Sequence, residues 1–381
     1  MTEPRPGPLC IALIGDPNSV HVRRWAAYFA DRGHRLHILT PDTDPITAPV
    51  DPRFEVHTFR AWRRSRIRGR SMVETSRSLT RALAAIRPDV LHSHSVGRYG
   101  LAAWLSRFRP YAVTVWGTDV LITPGLSRRQ RIQTWLALHG AALVTGGSDH
   151  LVKAAIAAGA RPDRTQYLHF GVDTDRFSPG DAPAEMRQRL GLGNARIVLS
   201  PRGIAPVYRQ GVVVEAFAAL PPDTLLLMTR QSVREEELAA IMAKAELLGV
   251  ADRLRIVPGV AESEVPDLYR LADVVVSVPA SDGGPNTVVE SLACGRPIVA
   301  SDLAPNREWL ADLDPAALVA VGDAAATAAA IAAILNRPAA ERAERAARGR
   351  AAVCDRADRV VSMARMEALY RDLASRRKGT R

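Results

Sequence analysis

The sequence predicts an α/β protein with two doubly wound parallel sheets, each in its own domain. Short apolar runs followed by longer amphipathic segments recur along the chain, which is the pattern of βα units. A segment rich in Gly, Pro and Asp after residue 163 interrupts this alternation, which then starts again. A length of 381 residues also suits two domains. We therefore expect domains at residues 1–178 and 179–360, followed by a C-terminal helix and basic tail at 361–381.

The first domain should begin with the strand CIALIG (10–15) and a helix from about Ser19 to Arg32, which Gly33 ends. Its further strands are predicted at RLHILT (35–40), DVLHSH (89–94), AVTVWG (112–117) and ALVTGG (142–147). In the second domain, strands are predicted at ARIVLS (195–200), TLLLMT (224–229), LRIVPG (254–259), DVVVSVP (273–279) and RPIVAS (296–301). Doubly wound sheets bind ligands beyond the carboxyl ends of their strands, so we expect the active site in a cleft between the domains.

The net charge of +11 suggests an anionic partner, which would be a nucleic acid, a membrane surface or a phosphorylated substrate. Nucleic acid is excluded, because aromatic residues are only 5% of the chain, no nucleic-acid-binding motif is present, and arginines are scattered along the whole length. The densest basic run, Arg60–Arg70, leaves three alternatives open. It could contact an anionic membrane surface, contact an acceptor phosphate, or form a loop of solvated charge.

Cys10, Cys294 and Cys354 are far apart and show neither a disulfide framework nor metal-ligand spacing. No apolar run is long enough to span a membrane, and the N-terminus lacks the layout of a signal peptide. We therefore expect a cytoplasmic protein without a metal site, either free or peripheral on the inner face of the membrane. The oligomeric state stays open.

The stretch from Val276 to Asp302 carries the candidate site. A buried strand is followed by a loop containing Gly283 and Gly284, and Pro285 suits the first position of the next helix. Backbone N–H groups near Asn286 and Thr287 would then form a helix N-terminus suited to phosphate. Two carboxylates flank it, Asp282 and Glu290, with seven residues between them. The alternative is that Asp282 caps the helix and Glu290 is an ordinary helical acid.

The segment SDGGPNTVVESLACGRPIVA resembles the acid-x7-acid signature of retaining glycosyltransferases of family 4. DVLHSH, TVWGTD, GVDTDRFSP and LYRLADVVVSVPAS are similar to other motifs of that family and follow its order. The resemblance covers nearly the whole chain. It implies the GT-B fold, with two Rossmann-like domains: an N-terminal acceptor-side domain and a C-terminal domain that binds the nucleotide sugar. It also implies that the C-terminal helix crosses back to the first domain.

The implied activity is retaining, metal-independent transfer of a hexosyl unit, such as GlcNAc, glucosyl or mannosyl, from a UDP- or GDP-sugar. The acceptor would be a hydroxyl of a small molecule, lipid or saccharide, and no cofactor is needed beyond the sugar donor. Two alternatives stay open: a catalytically silent homologue that binds a nucleotide sugar, and a GT-B sugar epimerase. A phosphorylase is disfavoured because Lys244, in a charged helical stretch, does not suit a pyridoxal phosphate lysine.

The resemblance also implies roles for individual residues of the second domain. Glu290 would hold the ribose hydroxyls and Asp282 the hydroxyls of the transferred sugar, where the family more often has Glu. Arg202 matches the family arginine that holds the diphosphate. Arg209 would replace the usual diphosphate-binding lysine, with two extra residues between, or is a solvated surface charge. Glu308 is either a base-side or ribose-side contact or a surface charge.

In the first domain, His94 matches the family histidine that contacts the donor sugar near the reacting carbon. Asp119 either contacts the acceptor or caps a turn. His21 is a candidate for the acceptor or for a phosphate, with an ordinary helix surface as the alternative. Trp116 replaces a histidine of the family motif, so this position cannot transfer a proton.

Overall fold

The chain passes from one structural unit to another after Phe170 and returns before Ser362 in the computed structural model. Unit 1 is formed by the chain up to Phe170 and from Ser362 onward, and unit 2 is Gly171–Val361. The structure describes residues 7–47, 49–61, 70–230, 233–258 and 260–378. Most of the basic run Arg60–Arg70 therefore lies outside the described residues, and its role stays a prediction.

The described part of unit 1 contains a seven-stranded parallel sheet in the order β3-β2-β1-β4-β5-β6-β7. Its strands are β1 (Cys10–Ile14), β2 (Arg35–Pro41), β3 (Phe54–Phe59), β4 (Val90–His94), β5 (Tyr111–Val115), β6 (Leu143–Gly146) and β7 (Thr165–Tyr167). Its helices are α1 (Val20–Asp31), α2 (Arg70–Ile86), α3 (Gly97–Leu105), α4 (Thr118–Leu121), α5 (Thr123–Leu126), α6 (Arg128–His139) and α7 (Asp149–Ala157), with a 3-10 turn at Pro162–Arg164.

Unit 2 has the same design. Its described residues form a six-stranded parallel sheet in the order β10-β9-β8-β11-β12-β13. The strands are β8 (Arg196–Ser200), β9 (Thr224–Thr229), β10 (Leu254–Val257), β11 (Val274–Ser277), β12 (Ile298–Ser301) and β13 (Leu318–Val319). The helices are α8 (Ala184–Arg189), α9 (Gln210–Ala218), α10 (Glu235–Leu247), α11 (Val265–Leu271), α12 (Asn286–Ala293), α13 (Ala304–Leu310), α14 (Ala324–Leu335) and α15 (Ala339–Arg356). Short 3-10 turns lie at Pro206–Tyr208, Ala251–Arg253, Glu262–Glu264 and Pro315–Ala317.

The last helix, α16 (Arg359–Lys378), contains the second boundary between the units. No helix in the described ranges is both long and apolar enough to cross a membrane.

The predicted α/β class with two doubly wound parallel sheets is confirmed, and every strand predicted above is present. The sequence analysis listed no strand at β3, β7 or β13. All of these are edge strands; the inner positions of β3 are exposed or half-buried rather than a continuous apolar run, β7 has three half-buried residues, and β13 has only two residues. Buried central strands are apolar on both faces and therefore stand out in a sequence, whereas short edge strands do not.

The segment that follows Phe170 packs entirely within unit 2, although the sequence analysis ended the first domain at residue 178. Phe177 is buried in the apolar core of unit 2, and the N–H of Val172 donates to the carbonyl of Ala357 at 2.9 Å. The guanidinium of Arg350 donates to the carbonyls of Thr174 and Phe177, each at 3.0 Å. The structure therefore places this boundary after Phe170, because these contacts hold the polar segment against unit 2.

A chain of buried hydrogen bonds fastens α16 to the sheet of unit 1. The indole N–H of Trp25 donates to the Tyr370 hydroxyl at 3.0 Å, and this hydroxyl lies 2.5 Å from Nδ1 of His92. Nε2 of His92 lies 2.8 Å from the hydroxyl of Thr114. Since indole can only donate, the Tyr370 oxygen accepts from Trp25. Burial lowers the pKa of His92 well below its usual range, so its imidazole is neutral.

We predict that Tyr370→Phe lowers the free energy of unfolding of unit 1 by about 1–3 kcal/mol, because two buried polar groups lose their partner. Urea denaturation followed by circular dichroism measures the loss. Val360→Ala, at an exposed position of the same helix, is the control and should change stability far less. Equal losses in both variants would contradict the structural importance of this hydroxyl.

Candidate active site

The switch point of the unit 2 sheet lies between β8 and β11, the two neighbouring strands whose following connections run to opposite sides. In doubly wound sheets, a crevice opens at this point beyond the carboxyl ends of the strands. Arg202 follows β8 by two residues, and Asp282 lies in the loop that follows β11. The topology therefore brings together two predicted site residues that are far apart in the sequence.

Arg202 and Asp282 form a nearly buried ion pair. Nη1 of Arg202 lies 3.0 Å from Oδ2 of Asp282, and the two side chains are 16% and 10% exposed. The same nitrogen lies 3.4 Å from the hydroxyl of Thr287, in the first turn of α12. A guanidinium has five N–H donors, so this contact leaves Arg202 with donors for an anionic ligand. Three of the predicted site residues thus lie side by side.

Two opposing effects act on the carboxyl group of Asp282. Burial is the larger effect and raises its pKa above the usual range, because removal from water disfavours the charged form. The positive charge of Arg202 and the backbone N–H groups of Gly283 and Gly284 act in the opposite direction. The charge on Asp282 therefore depends on its arginine partner.

The loop after β8 is held by Gln210, a residue that the sequence analysis missed. Its side chain is fully buried at the start of α9, where its amide oxygen accepts from the Ser200 hydroxyl at 2.7 Å. Its amide nitrogen donates to the carbonyl of Arg202 at 3.0 Å. The guanidinium of Arg202 also stacks over the ring of Tyr208, 4.6 Å from the ring centre. These contacts fix the position from which Arg202 reaches the crevice.

Glu290 is positioned by Tyr269, a second residue that the sequence analysis did not single out. The hydroxyl of Tyr269 donates to Oε2 of Glu290 at 2.7 Å. Tyr269 is buried, and burial together with the charge of Glu290 raises the pKa of its phenol well above the usual range. The phenol therefore keeps its proton and can orient the carboxylate. Tyr269 belongs to the motif LYRLADVVV, which was the signal available in the sequence.

The start of α12 differs by one residue from the prediction. Pro285 was expected at the first helical position, but it precedes the helix, with a non-helical ψ of 64°. The N–H of Asn286 donates to the carbonyl of Gly284 at 2.8 Å, so the loop itself uses this predicted phosphate donor. Thr287 is buried and directs its hydroxyl towards Arg202. At this helix start, the Thr287 hydroxyl is therefore the group that contacts the ion pair of Arg202 and Asp282.

Arg209 and Glu308 lie in unit 2 at other points. Arg209 is exposed, precedes α9 and has a left-handed backbone with φ of 49°. No hydrogen bond or ion pair among the described residues joins it to Arg202 or Asp282. Glu308 is half-buried on α13, and its carbonyl accepts from the guanidinium of Arg356 at 2.9 Å. The predicted contacts of Arg209 with the diphosphate and of Glu308 with the nucleotide therefore stay predictions.

A second switch point, in unit 1, lies between β1 and β4 and holds His94. This residue ends β4 and is 3% exposed, and in the described part of the chain neither of its ring nitrogens has a hydrogen-bond partner. Burial, and next the proximity of His21, lower the pKa of His94 to about 3. The neutral ring packs edge-on against Trp25 at 4.8 Å and parallel to Trp116 at 6.0 Å. It can therefore donate one hydrogen bond and accept another.

His21 and Asp119 also lie near this switch point. His21 stacks on Trp116, with ring centres 5.0 Å apart, so the tryptophan covers one face of its ring. The carboxylate of Asp119 is buried and accepts from the backbone N–H groups of Val96 at 3.0 Å, Trp116 at 3.1 Å and Gly117 at 2.8 Å. These bonds correspond to the turn-capping alternative given above.

Two family models match the chain. The one described as Glycosyl transferase 4-like matches residues 10–148, and the one described as Glycosyl transferases group 1 matches residues 183–351. A D-inositol 3-phosphate glycosyltransferase of Geodermatophilus obscurus is 33% identical over 270 residues, which are 65% of this chain and 60% of that protein. A protein of the same name from Mycobacterium sp. strain KMS is 29% identical over 324 residues, which are 77% of this chain and 72% of that protein.

Solved structures resemble this one over nearly its whole length. Anabaena Alr3699/HepE, crystallised in complex with UDP and glucose, aligns with a TM-score of 0.77 at 18% identity, covering 95% of this chain and 99% of that one. Sucrose-phosphate synthase from Thermosynechococcus elongatus aligns with a TM-score of 0.79 at 20% identity, covering 96% and 99%. At such identities the likeness shows the fold alone, which is GT-B.

The fold, the motifs and the family models agree. The chain belongs to the glycosyltransferases of the family 4 type, with the GT-B fold. The resemblance that the sequence motifs indicated is confirmed.

We predict that Arg202→Gln moves the titration midpoint of Asp282 to higher pH, because the variant removes the positive charge that opposes burial. Carboxyl-carbon NMR over a pH series measures this midpoint. Since the pKa of Asp282 in the folded protein lies above its unfolded value, its contribution to stability falls as pH rises between those two values, and Arg202→Gln should widen that window.

Arg342→Gln is the matched control, since Arg342 is an exposed arginine on α15 of the same unit. It should leave the midpoint of Asp282 unchanged. If Arg202→Gln also left it unchanged, Arg202 would not be the charge that governs this carboxyl group.

Proposed function

We propose that this chain transfers a hexosyl unit from a UDP- or GDP-sugar to an acceptor hydroxyl, with retention of configuration and without a metal ion. The observation that carries the proposal is the Arg202–Asp282 pair beside Thr287 at the switch point of unit 2. A cation for a diphosphate and a carboxylate for sugar hydroxyls meet there, where doubly wound sheets bind ligands.

In this proposal, Arg202 neutralises the leaving diphosphate. Its guanidinium is already fixed by Tyr208 and Asp282, so little side-chain freedom is lost when a phosphate binds. Charge-assisted bonds from a guanidinium to phosphate are among the stronger hydrogen bonds in proteins. Arg209 adds a second positive charge from the exposed start of α9. These cations take the part that a divalent ion plays in metal-dependent transfer.

The two carboxylates have separate tasks. Asp282 accepts from hydroxyls of the transferred sugar. Gly283 and Gly284, the next residues of the same loop, are assigned to the same substrate. Glu290 accepts from the ribose. A carboxylate has about four lone-pair sites, so Glu290 can keep its bond from Tyr269 and still accept from a ribose hydroxyl. Glu308 is assigned to the same side of the nucleotide.

The chemistry requires no covalent nucleophile. The acceptor hydroxyl attacks on the face from which the nucleoside diphosphate leaves, and the protein stabilises the leaving phosphate and the oxocarbenium-like centre. From unit 1 we assign His94 to a hydroxyl of the sugar, because its neutral ring offers one donor and one acceptor. His21 is assigned to the acceptor side. Asp119 acts through the turn whose N–H groups it binds.

The relatives suggest which acceptors and donors to assay first. Both relatives described above are named D-inositol 3-phosphate glycosyltransferase, so a phosphorylated cyclitol is the first acceptor class to assay. The Anabaena protein was crystallised with UDP and glucose, which supports beginning with UDP-sugars as donors.

The direct test incubates the protein with UDP-, GDP- and ADP-sugars and with inositol 3-phosphate or other hydroxyl acceptors. We expect a product whose anomeric configuration, read from proton NMR couplings, is that of the donor. Added Mg²⁺ or Mn²⁺ should change the rate by less than about twofold, because the cations of the site are arginines. Inversion would overturn the mechanism. Binding of UDP without transfer to any acceptor would favour the silent homologue.

Asp282→Asn serves as the matched inactive variant for this assay. It keeps the shape of the side chain and removes its charge, and it should lower kcat by about 10²–10³ if the carboxylate acts in the transition state. Circular dichroism confirms that the variant is folded.

A further prediction concerns the ribose contact. Glu290→Ala should abolish the rise in melting temperature that UDP produces. Tyr269→Phe should keep part of it, with affinity for UDP lowered by about tenfold, since one hydrogen bond that orients the carboxylate is worth about 1.4 kcal/mol. Thermal-shift titration with UDP measures both effects.

Glu236→Ala, at an exposed acid of α10, is the control and should bind UDP normally. Unchanged UDP binding in Glu290→Ala would remove Glu290 from the ribose contact.

A further inference from the structure

Three potential metal ligands lie together on the edge of the unit 1 sheet. His37 belongs to β2, and Glu55 and His57 belong to β3. The two strands are parallel, and His37 is paired with Glu55 in the register. Because side chains alternate between the faces of a strand, Glu55 and His57 lie on the same face, beside His37. The ligand atoms of these three side chains all lie within 4.8 Å of one another, which is close enough to share one ion. In the described part of the chain, no other group of histidine, cysteine and acidic side chains meets this condition.

The distances among the three ligand atoms match a small tetrahedral ion. Nδ1 of His37 lies 3.0 Å from Nε2 of His57, and Oε2 of Glu55 lies 3.6 Å from each of these nitrogens. The circle through these three atoms has a radius of about 2.0 Å, so an ion slightly off their plane lies about 2.1 Å from each atom, within the range of zinc bonds to imidazole nitrogen and carboxylate oxygen. One point is therefore at bonding distance from all three ligand atoms.

The position of Glu55 is not explained by hydrogen bonds to the histidines. Its oxygen is equally far from both nitrogens, and 3.6 Å is too long for a hydrogen bond to either. The two imidazoles can share one N–H···N bond, which accounts for their own distance, and a protonated ring would attract the carboxylate oxygen at 3.6 Å. A cation bound to both rings would attract this oxygen.

The surroundings suit a fixed site with one open position. His37 is nearly buried, and Leu39 and Phe59, two residues further along the same strand face, belong to the apolar core. The side chain of His57 is 31% exposed and that of Glu55 is 71% exposed, so water reaches the outer side of the cluster. Two nitrogens, one carboxylate oxygen and one water are a common zinc ligand set, whereas Mg²⁺ and Ca²⁺ prefer oxygen ligands alone.

We propose that His37, Glu55 and His57 bind a zinc ion, with water as the fourth ligand. The ion links the edge strand β3 to β2, and its binding energy adds to the stability of the folded unit. The site shares no residue with the set to which we assign the sugar transfer, and it does not depend on that proposal. Sequence spacing did not indicate it, because its ligands come from two strands separated by a long connection.

The test uses the full chain, stripped with a chelator, dialysed and then titrated with zinc chloride by isothermal calorimetry. We expect one strong site per chain and a higher melting temperature with zinc. His57→Gln and Glu55→Gln should weaken zinc binding by about 100-fold or more, since even the loss of an outer partner of a ligand weakens metal sites by about 10–100-fold. His37 is left in place because it is nearly buried.

His139→Gln is the control, because His139 is an exposed histidine on α6 outside the cluster, and it should bind zinc like the unchanged protein. Cobalt(II) added to the stripped protein should give the visible absorption of a tetrahedral site, and His57→Gln should lose it. The proposal is overturned if the unchanged chain binds no zinc at micromolar concentration, or if His57→Gln and Glu55→Gln bind it as tightly as the unchanged chain.

Discussion

The arrangement of the unit 2 crevice depends on one constraint: a nearly buried carboxylate needs a positive partner. Asp282 is withdrawn from water beyond β11, and Arg202 reaches it from the end of the neighbouring strand β8. An isolated buried charge would be strongly unfavourable, so the two loops must keep their positions. The bonds of Gln210 hold the β8 loop, and the hydroxyl of Thr287 contacts the guanidinium. An anionic ligand can accept hydrogen bonds from the remaining N–H donors of the same arginine.

Both units use the same topology, but the chemistry at their switch points differs. In unit 2 the crevice holds a cation and carboxylates, which suits a charged ligand. In unit 1 the corresponding strand ends hold a neutral histidine, His94, which packs against Trp25 and Trp116, and His21 stacks on Trp116. Burial keeps this ring uncharged, so it offers hydrogen bonds without electrostatic attraction. The parallel sheets provide the location in each case, and the loops provide the chemistry.

The large excess of arginine has a structural use that the net charge alone conceals. Many of these side chains bind the protein's own backbone. Arg350 donates to carbonyls of the segment that enters unit 2, and Arg270 donates to the carbonyls of Arg176 and Ser178 in that segment. A planar guanidinium has five donors in a fixed arrangement and can satisfy several carbonyls at once, whereas a lysine ammonium has three donors. These arginines therefore have a use within the fold, whatever the net charge of +11 does outside it.

The sequence by itself determined the two series of βα units, because buried parallel strands are apolar on both faces and stand out between amphipathic helices. It also indicated Arg202, Asp282 and Glu290, because local motifs contain them. Only the tertiary structure decided that Tyr269 holds Glu290 and that His37 lies beside the acid and histidine of β3. Such partners are distant in the chain, and they meet through strand order and register, which hydrophobic periodicity does not encode.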